Sequence, residues 1–270
     1  MVSWQVAQSR RAGRRRAVSG VILVLTAAFL VAPVSAQAEI LWRGGFETGS
    51  FSEWDALQAV PGGARIVSAP ARDGAYAARF EVGPGDNPLP CACGERAELL
   101  ERTNEKPGTV SSWAWSVYFP AEFAVKPGGR IVFTQWHDYD QGLPGHPAPV
   151  VLRVLSVGGE ERFSLGVRGG PVTNPVARDW TLGQVQRERW YDIVARIRWA
   201  SDGSGYVQLM IDGSWVVPRT STPTLFAENA AKGVYLKQGL YRATVWSGTS
   251  VAYLDATRRG RYLSDVLPTG

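Results

Sequence analysis

Trp190-Tyr191-Asp192-Ile193-Val194-Ala195-Arg196-Ile197-Arg198-Trp199 reads as a strand with one buried face. Tyr191, Ile193, Ala195, Ile197 and Trp199 fall on one side of an extended chain, and Asp192, Arg196 and Arg198 on the other. The turn Asp202-Gly203-Ser204-Gly205 follows, and then Tyr206–Ile211, in which Val207, Leu209 and Ile211 share a side. Two alternating runs joined by a glycine-containing turn form a hairpin that lays its apolar side on a core.

The same pattern recurs outward from this hairpin. Trp113, Trp115, Val117 and Phe119 alternate within Ser112–Phe119. Turn signals punctuate the chain at short intervals: Pro61-Gly62-Gly63, Asp73-Gly74, Pro127-Gly128-Gly129, Gly158-Gly159, Gly169-Gly170-Pro171 and Asp212-Gly213. Short Val-, Ile-, Trp-, Tyr- and Phe-rich runs separated by such turns predict an all-β sandwich of the jelly-roll type, with antiparallel sheets. A helical period is not sustained anywhere, and the one expected helix is a short one within Thr222–Ala231.

The N-terminus differs in kind. Arg10, Arg11, Arg14, Arg15 and Arg16 precede an apolar run from Val18 to Val34, and Ser35-Ala36-Gln37-Ala38 offers a small-x-small cleavage pattern. This predicts a secretory signal peptide over 1–38, a domain over 39–270, and a secreted protein. The apolar run is shorter than the ~20 residues of a spanning helix, so no stable membrane anchor is expected. Five of the 29 bases and none of the 24 acids lie in 1–38, so the remainder is formally neutral. The excess of basic charge therefore gives no reason to expect a nucleic-acid partner, and a monomer is expected. The two cysteines, in Cys91-Ala92-Cys93, allow a local loop staple or a pair of free thiols.

Three strands carry polar residues at period two. Arg96 and Glu98 point the same way in Glu95–Leu99. Ile131, Phe133, Gln135 and His137 are expected on one face of Ile131–His137, and Val132, Thr134 and Trp136 on the other. Tyr235, Lys237, Gly239 and Tyr241 share a face of Gly233–Ala243. Taken singly, each is an ordinary strand residue. Laid side by side they would collect Arg96, Gln135, His137, Lys237 and Tyr241 on one surface, a groove for an extended polar ligand.

The order Arg-x-Glu-Leu, Gln-x-His, Tyr-x-Lys-x-Gly-x-Tyr resembles the jelly-roll polysaccharide lyases, namely the alginate, glucuronan and heparin lyase I-like families. The opening Phe46–Trp54, Trp190–Val194 and Gly205–Gly213 are similar to the last of these, and the resemblance runs through the mature chain. The chain departs from the alginate pattern at Leu100, Trp136 and Arg242-Ala243, which leans it toward the glucuronan and heparin lyase I-like side. The resemblance implies β-elimination on an acidic, uronic-acid-containing polysaccharide, with no cofactor required. It implies that Tyr241 protonates the leaving oxygen, that His137 is the base or orients it, and that Gln135 and Arg96 hold the uronate carboxylate. Lys237, Tyr235, Arg242 and Glu98 are the expected substrate-binding residues. Glu47 and Asp255 resemble positions that hold a structural calcium in jelly rolls. A non-catalytic, lectin-like carbohydrate-binding module is the alternative on the same fold. A hydrolase would need two carboxylates across the scissile bond, and Glu98 is the only acid of the three motifs on their shared face.

Overall fold

The computed structural model describes residues 39–139, 147–243 and 246–267. The expected signal peptide lies outside the described residues, and so does His146 of Pro144-Gly145-His146-Pro147, a segment that reads as an exposed loop. Two antiparallel sheets make up the fold. The first carries, in spatial order, β13 (Ser214–Ser221), β12 (Tyr206–Ile211), β11 (Arg189–Arg198), β6 (Val110–Phe119), β15 (Ser250–Gly260), β4 (Ala77–Val82) and β3 (Ala64–Val67), with β1 (Ile40–Gly44) also paired to β15. The second runs β10 (Val176–Gln184), β9 (Glu160–Gly169), β8 (Val150–Val157), β7 (Arg130–Asp138), β14 (Val234–Arg242), β5 (Glu95–Glu105) and β2 (Ala56–Gln58). The β11–β12 hairpin forms as the alternation dictates, with Ile193 opposite Ile211 and Ile197 opposite Val207. The expected helix within Thr222–Ala231 is reduced to one 3-10 turn at Ala230–Lys232, and a single α-turn (α1, Leu263–Val266) lies after β15.

The core lies between the sheets and is rich in aromatics. Trp113 and Trp115 of β6 meet Trp136 of β7 edge-on, with ring centres 5.6 and 5.9 Å apart. Phe119 meets Phe133 at 5.8 Å. Rings of this size bury enough apolar surface to hold two sheets together, and the edge-to-face geometry suits their charge distribution.

β7 departs from strict alternation. Its register with β8 slips between Val132 and Thr134. This bulge turns Ile131, Phe133 and Trp136 all into the core, and leaves Val132, Gln135 and His137 on the other side. The expectation that Ile131 and Phe133 share a face with Gln135 is thereby corrected: an extra residue on one strand shifts the two-residue period.

A candidate active site on the seven-stranded sheet

β14, which lies between β7 and β5 in this sheet, alternates without interruption. Val234, Leu236 and Leu240 enter the core, so Tyr235, Lys237, Gly239 and Tyr241 face outward. On β5, Ala97 and Leu99 enter the core and Arg96 and Glu98 face outward. Register then lines up outward residues in rows across the strands. One row runs Arg96, Tyr241, Val132, Arg153, Ser164 and Thr181. The next runs Leu100, Lys237, Gln135, Val151, Gly166 and Asp179. In the third, Tyr235 stands opposite His137.

Glu98 sits between the first two rows and is 2% exposed. One of its oxygens accepts from Gln135 Nε2 at 2.6 Å, and the other accepts from Lys237 Nζ at 2.5 Å and Arg96 Nη1 at 3.4 Å. A buried carboxylate with three donors is an anchor for those donors, not a group that meets an acidic ligand. Its expected place among the substrate-binding residues is corrected on that ground. Burial holds the Lys237 ammonium below its usual range, against the pull of Glu98. Gly239 makes the close packing possible: its φ is 140°, and a Cβ there would collide with the Ala97 carbonyl.

Arg96 and Tyr241 form a pair. The guanidinium lies over the phenol ring, 4.7 Å from its centre. Arg96 Nη2 also donates to the Cys93 carbonyl at 2.5 Å. Cys91 and Cys93 are joined by a disulfide, which settles the two readings of this pair in favour of the loop staple. Gly94, at φ 95°, lies directly against the Tyr241 ring, and a side chain there would collide with it. The stapled loop thus fixes both Arg96 and Tyr241. Beside Tyr241 lies a depression of about 390 Å³, lined by Arg130, Val132, Leu155 and Trp246 among others.

His137 belongs to the far end of the motif. It stacks on Tyr235 at 5.8 Å, and its Nδ1 lies 2.9 Å from the Asp138 carbonyl. The buried Asp138 carboxylate accepts from Asn229 Nδ2 at 3.0 Å. Burial and the nearby Glu98 and Asp138 push the Tyr235 phenol up to about 12, so it stays neutral. Tyr235 and Tyr241 are six positions apart on β14, about 20 Å at the usual strand rise. The structure therefore brings Arg96, Glu98, Gln135, Lys237 and Tyr241 together and sets His137 at a distance from Tyr241.

Arg242 is placed elsewhere. It points into the sandwich, donates to Glu95 at 2.7 Å and to Ser250 at 3.2 Å, and its side chain is 1% exposed. Turned inward between the sheets and paired with Glu95 and Ser250, this guanidinium does not reach the outer face of the sheet, so its expected substrate-binding role is corrected. Glu47 accepts from the Ala75 and Tyr76 amides, and Asp255 from those of Arg72, Asp73 and Ala256. Both carboxylates face N–H donors and fasten one loop, a donor set that does not fit calcium. Among the described residues no group of three or more His, Cys, Asp or Glu side chains converges as a metal site.

The family model described as "Polysaccharide lyase" matches residues 46–258. The chain belongs to the polysaccharide lyase family. It is an enzyme of that class on a jelly-roll sandwich. The match takes in β5, β7 and β14, the strands that carry the cluster. Among solved structures the lyase is similar to an endo-β-1,4-glucuronan lyase from the fungus Trichoderma reesei, with TM-score 0.69 and 17% identity over 84% of this chain and 98% of that one. It is also similar to alginate lyase Aly36B, with TM-score 0.54 and 15% identity over 83% and 93% of the two chains. The alginate lyase from Klebsiella pneumoniae gives TM-score 0.51 and 13% identity over 74% and 85%. A search of curated proteins returned no match.

Proposed function

We propose that the lyase is exported and cleaves a uronic-acid-containing polysaccharide by β-elimination, leaving unsaturated uronate ends. The observation that carries this reading is the Arg96–Tyr241 pair beside the Glu98-anchored cluster of Gln135 and Lys237. Arg96 and Lys237 against Glu98 leave one unbalanced positive charge in the cluster, suited to a substrate carboxylate. The C5 proton of a uronate is weakly acidic because the adjacent carboxylate resists further charge. Preorganised donors offset that resistance, and Gln135 and Arg96 are the donors placed for it.

Tyr241 is the proton carrier in this reading. Acting as the phenolate, its oxygen takes the C5 proton, the C4–C5 double bond forms as the C4–oxygen bond breaks, and the resulting phenol gives the same proton to the departing oxygen, which returns the phenolate. The Arg96 guanidinium over the ring offsets the negative charge of that phenolate. One residue serves both steps when the C5 hydrogen and the C4 oxygen lie on one side of the sugar, as in 4-linked glucuronate and mannuronate. The separation of Tyr241 from His137 along β14 and β7 supports this single-residue route, with His137 meeting a neighbouring sugar in this reading. The Arg-rich start and apolar run of residues 1–38 support export, which suits a polymer too large to import.

The test incubates the purified lyase with glucuronan, alginate, heparin and hyaluronan and follows the ultraviolet absorbance of the new double bond. Absorbance is expected with a glucuronate or mannuronate polymer. Binding without absorbance from every polymer would instead mark a lectin-like module.

A further inference from the structure

Arg153 stands in the same cross-strand row as Arg96 and Tyr241, on the opposite side of the tyrosine. Arg96 is one strand from Tyr241 and Arg153 is two, so about 5 and 10 Å separate their backbones. Val132 lies between Tyr241 and Arg153 and offers only a short apolar side chain. Arg153 is held in place. Its Nε donates to Ser164 at 3.3 Å, and its Nη2 pairs with Asp179 on β10. To reach Asp179 it crosses β9 at Gly166, where a Cβ would sit 3.0 Å from Nη2 and 3.1 Å from Asp179 Oδ1. Arg168 pairs with the other Asp179 oxygen at 2.5 Å.

This is a built cationic site. Two arginines share one carboxylate, and Arg130, within electrostatic range of Arg153, adds to the positive charge. The third nitrogen of Arg153, Nη1, has no hydrogen-bond partner among the described residues, and the side chain is 15% exposed. A half-buried guanidinium with its fork fixed by two neighbours and one edge open matches a carboxylate.

We propose that Arg153, clamped by Ser164 and Asp179 and reinforced by Arg168, is a second carboxylate-binding subsite, which takes a uronate of the same polymer on the far side of Tyr241 from Arg96. The proposal rests on the lyase reading and extends it: the enzyme grips at least two acidic sugars that flank the scissile bond. Arg153 is a binding residue at a distance from the proton transfer, so its loss affects affinity and not the chemical step.

The experiment compares Arg153→Gln and Asp179→Asn with the unaltered lyase on the polymer it cleaves, with folding checked by circular dichroism. Arg153→Gln is expected to raise KM roughly tenfold, the loss of one charge-assisted bond, with kcat nearly unchanged. Asp179→Asn keeps a hydrogen-bond acceptor for the arginines but removes the opposing charge, so its KM is expected to fall. Unchanged KM in folded Arg153→Gln, or a rise in KM in both variants, would overturn the subsite. If Arg153→Gln does not fold, Asp179→Asn decides alone: a lower KM upholds the subsite, and a KM that stays or rises overturns it. Absence of unsaturated product from the unaltered lyase would refute the lyase reading itself. In that case calorimetric titration with glucuronan and alginate still tests the subsite, because Arg153→Gln is expected to bind the acidic polymer more weakly.

Discussion

Glu98 is the residue on which the site turns, and its role comes from burial more than from its charge. A carboxylate in Arg-x-Glu reads from sequence as a group that meets the ligand. In the fold it lies under Gln135, Lys237 and Arg96 and holds all three. Removing one member of a buried ion pair leaves the other charged and unsolvated, which costs about 3–5 kcal/mol. Glu98→Ala is expected to lose stability of that size in urea unfolding, together with most activity. A variant as stable as the parent would contradict the anchoring role. Sequence could show that Glu98, Lys237 and Tyr241 lie on outward faces, because period two decides that. It could not show that Glu98 is covered, since that depends on register between strands far apart in the chain.

At the scale of elements, the loop before β5 and the bulge in β7 do the positioning. The Cys91–Cys93 loop gives Arg96 a carbonyl to hold, and Gly94 lets Tyr241 pack against the backbone. Replacing both cysteines with serine opens a very short ring, and so is expected to cost only about 1–2 kcal/mol of stability. Activity is expected to fall further than stability, because Arg96 loses the fixed Cys93 carbonyl. The check is kcat set beside the unfolding midpoint of the same variant; an unchanged kcat would show that the loop does not position Arg96. The bulge had no sequence signal. Ile131–His137 alternates well enough to read as one regular strand, and only pairing with β8 reveals the extra residue. Gly239 was legible only as a member of the outward face; that the Ala97 backbone approaches it is decided by the pairing of β14 with β5.

For the whole molecule, the sandwich was legible because its apolar residues repeat every second position between glycine-containing turns. Tyr191–Trp199 and Trp113–Phe119 each place their apolar sets in one core. The pairing of β5 with β14 and of β14 with β7, which brings three sequence-distant motifs together, was legible only through family resemblance. Stability should also carry a pH signature. Burial and the neighbouring Asp55 push the Glu101 carboxyl up to about 7 from its usual 4.5. Between these values the folded protein binds more protons than the unfolded chain, so stability falls as pH rises through that window. Glu101→Gln is expected to flatten the fall in unfolding midpoint from about pH 4.5 to 7, and an unchanged slope would assign the fall to other groups.

The central claim is that Tyr241 carries the proton in a β-elimination. The most direct measurement is the initial rate of double-bond absorbance for Tyr241→Phe on the polymer that the lyase cleaves, with the fold verified by circular dichroism. Loss of the phenol oxygen is predicted to lower kcat by about a hundredfold or more. A folded Tyr241→Phe variant that forms unsaturated uronate at near the parent rate would contradict the account.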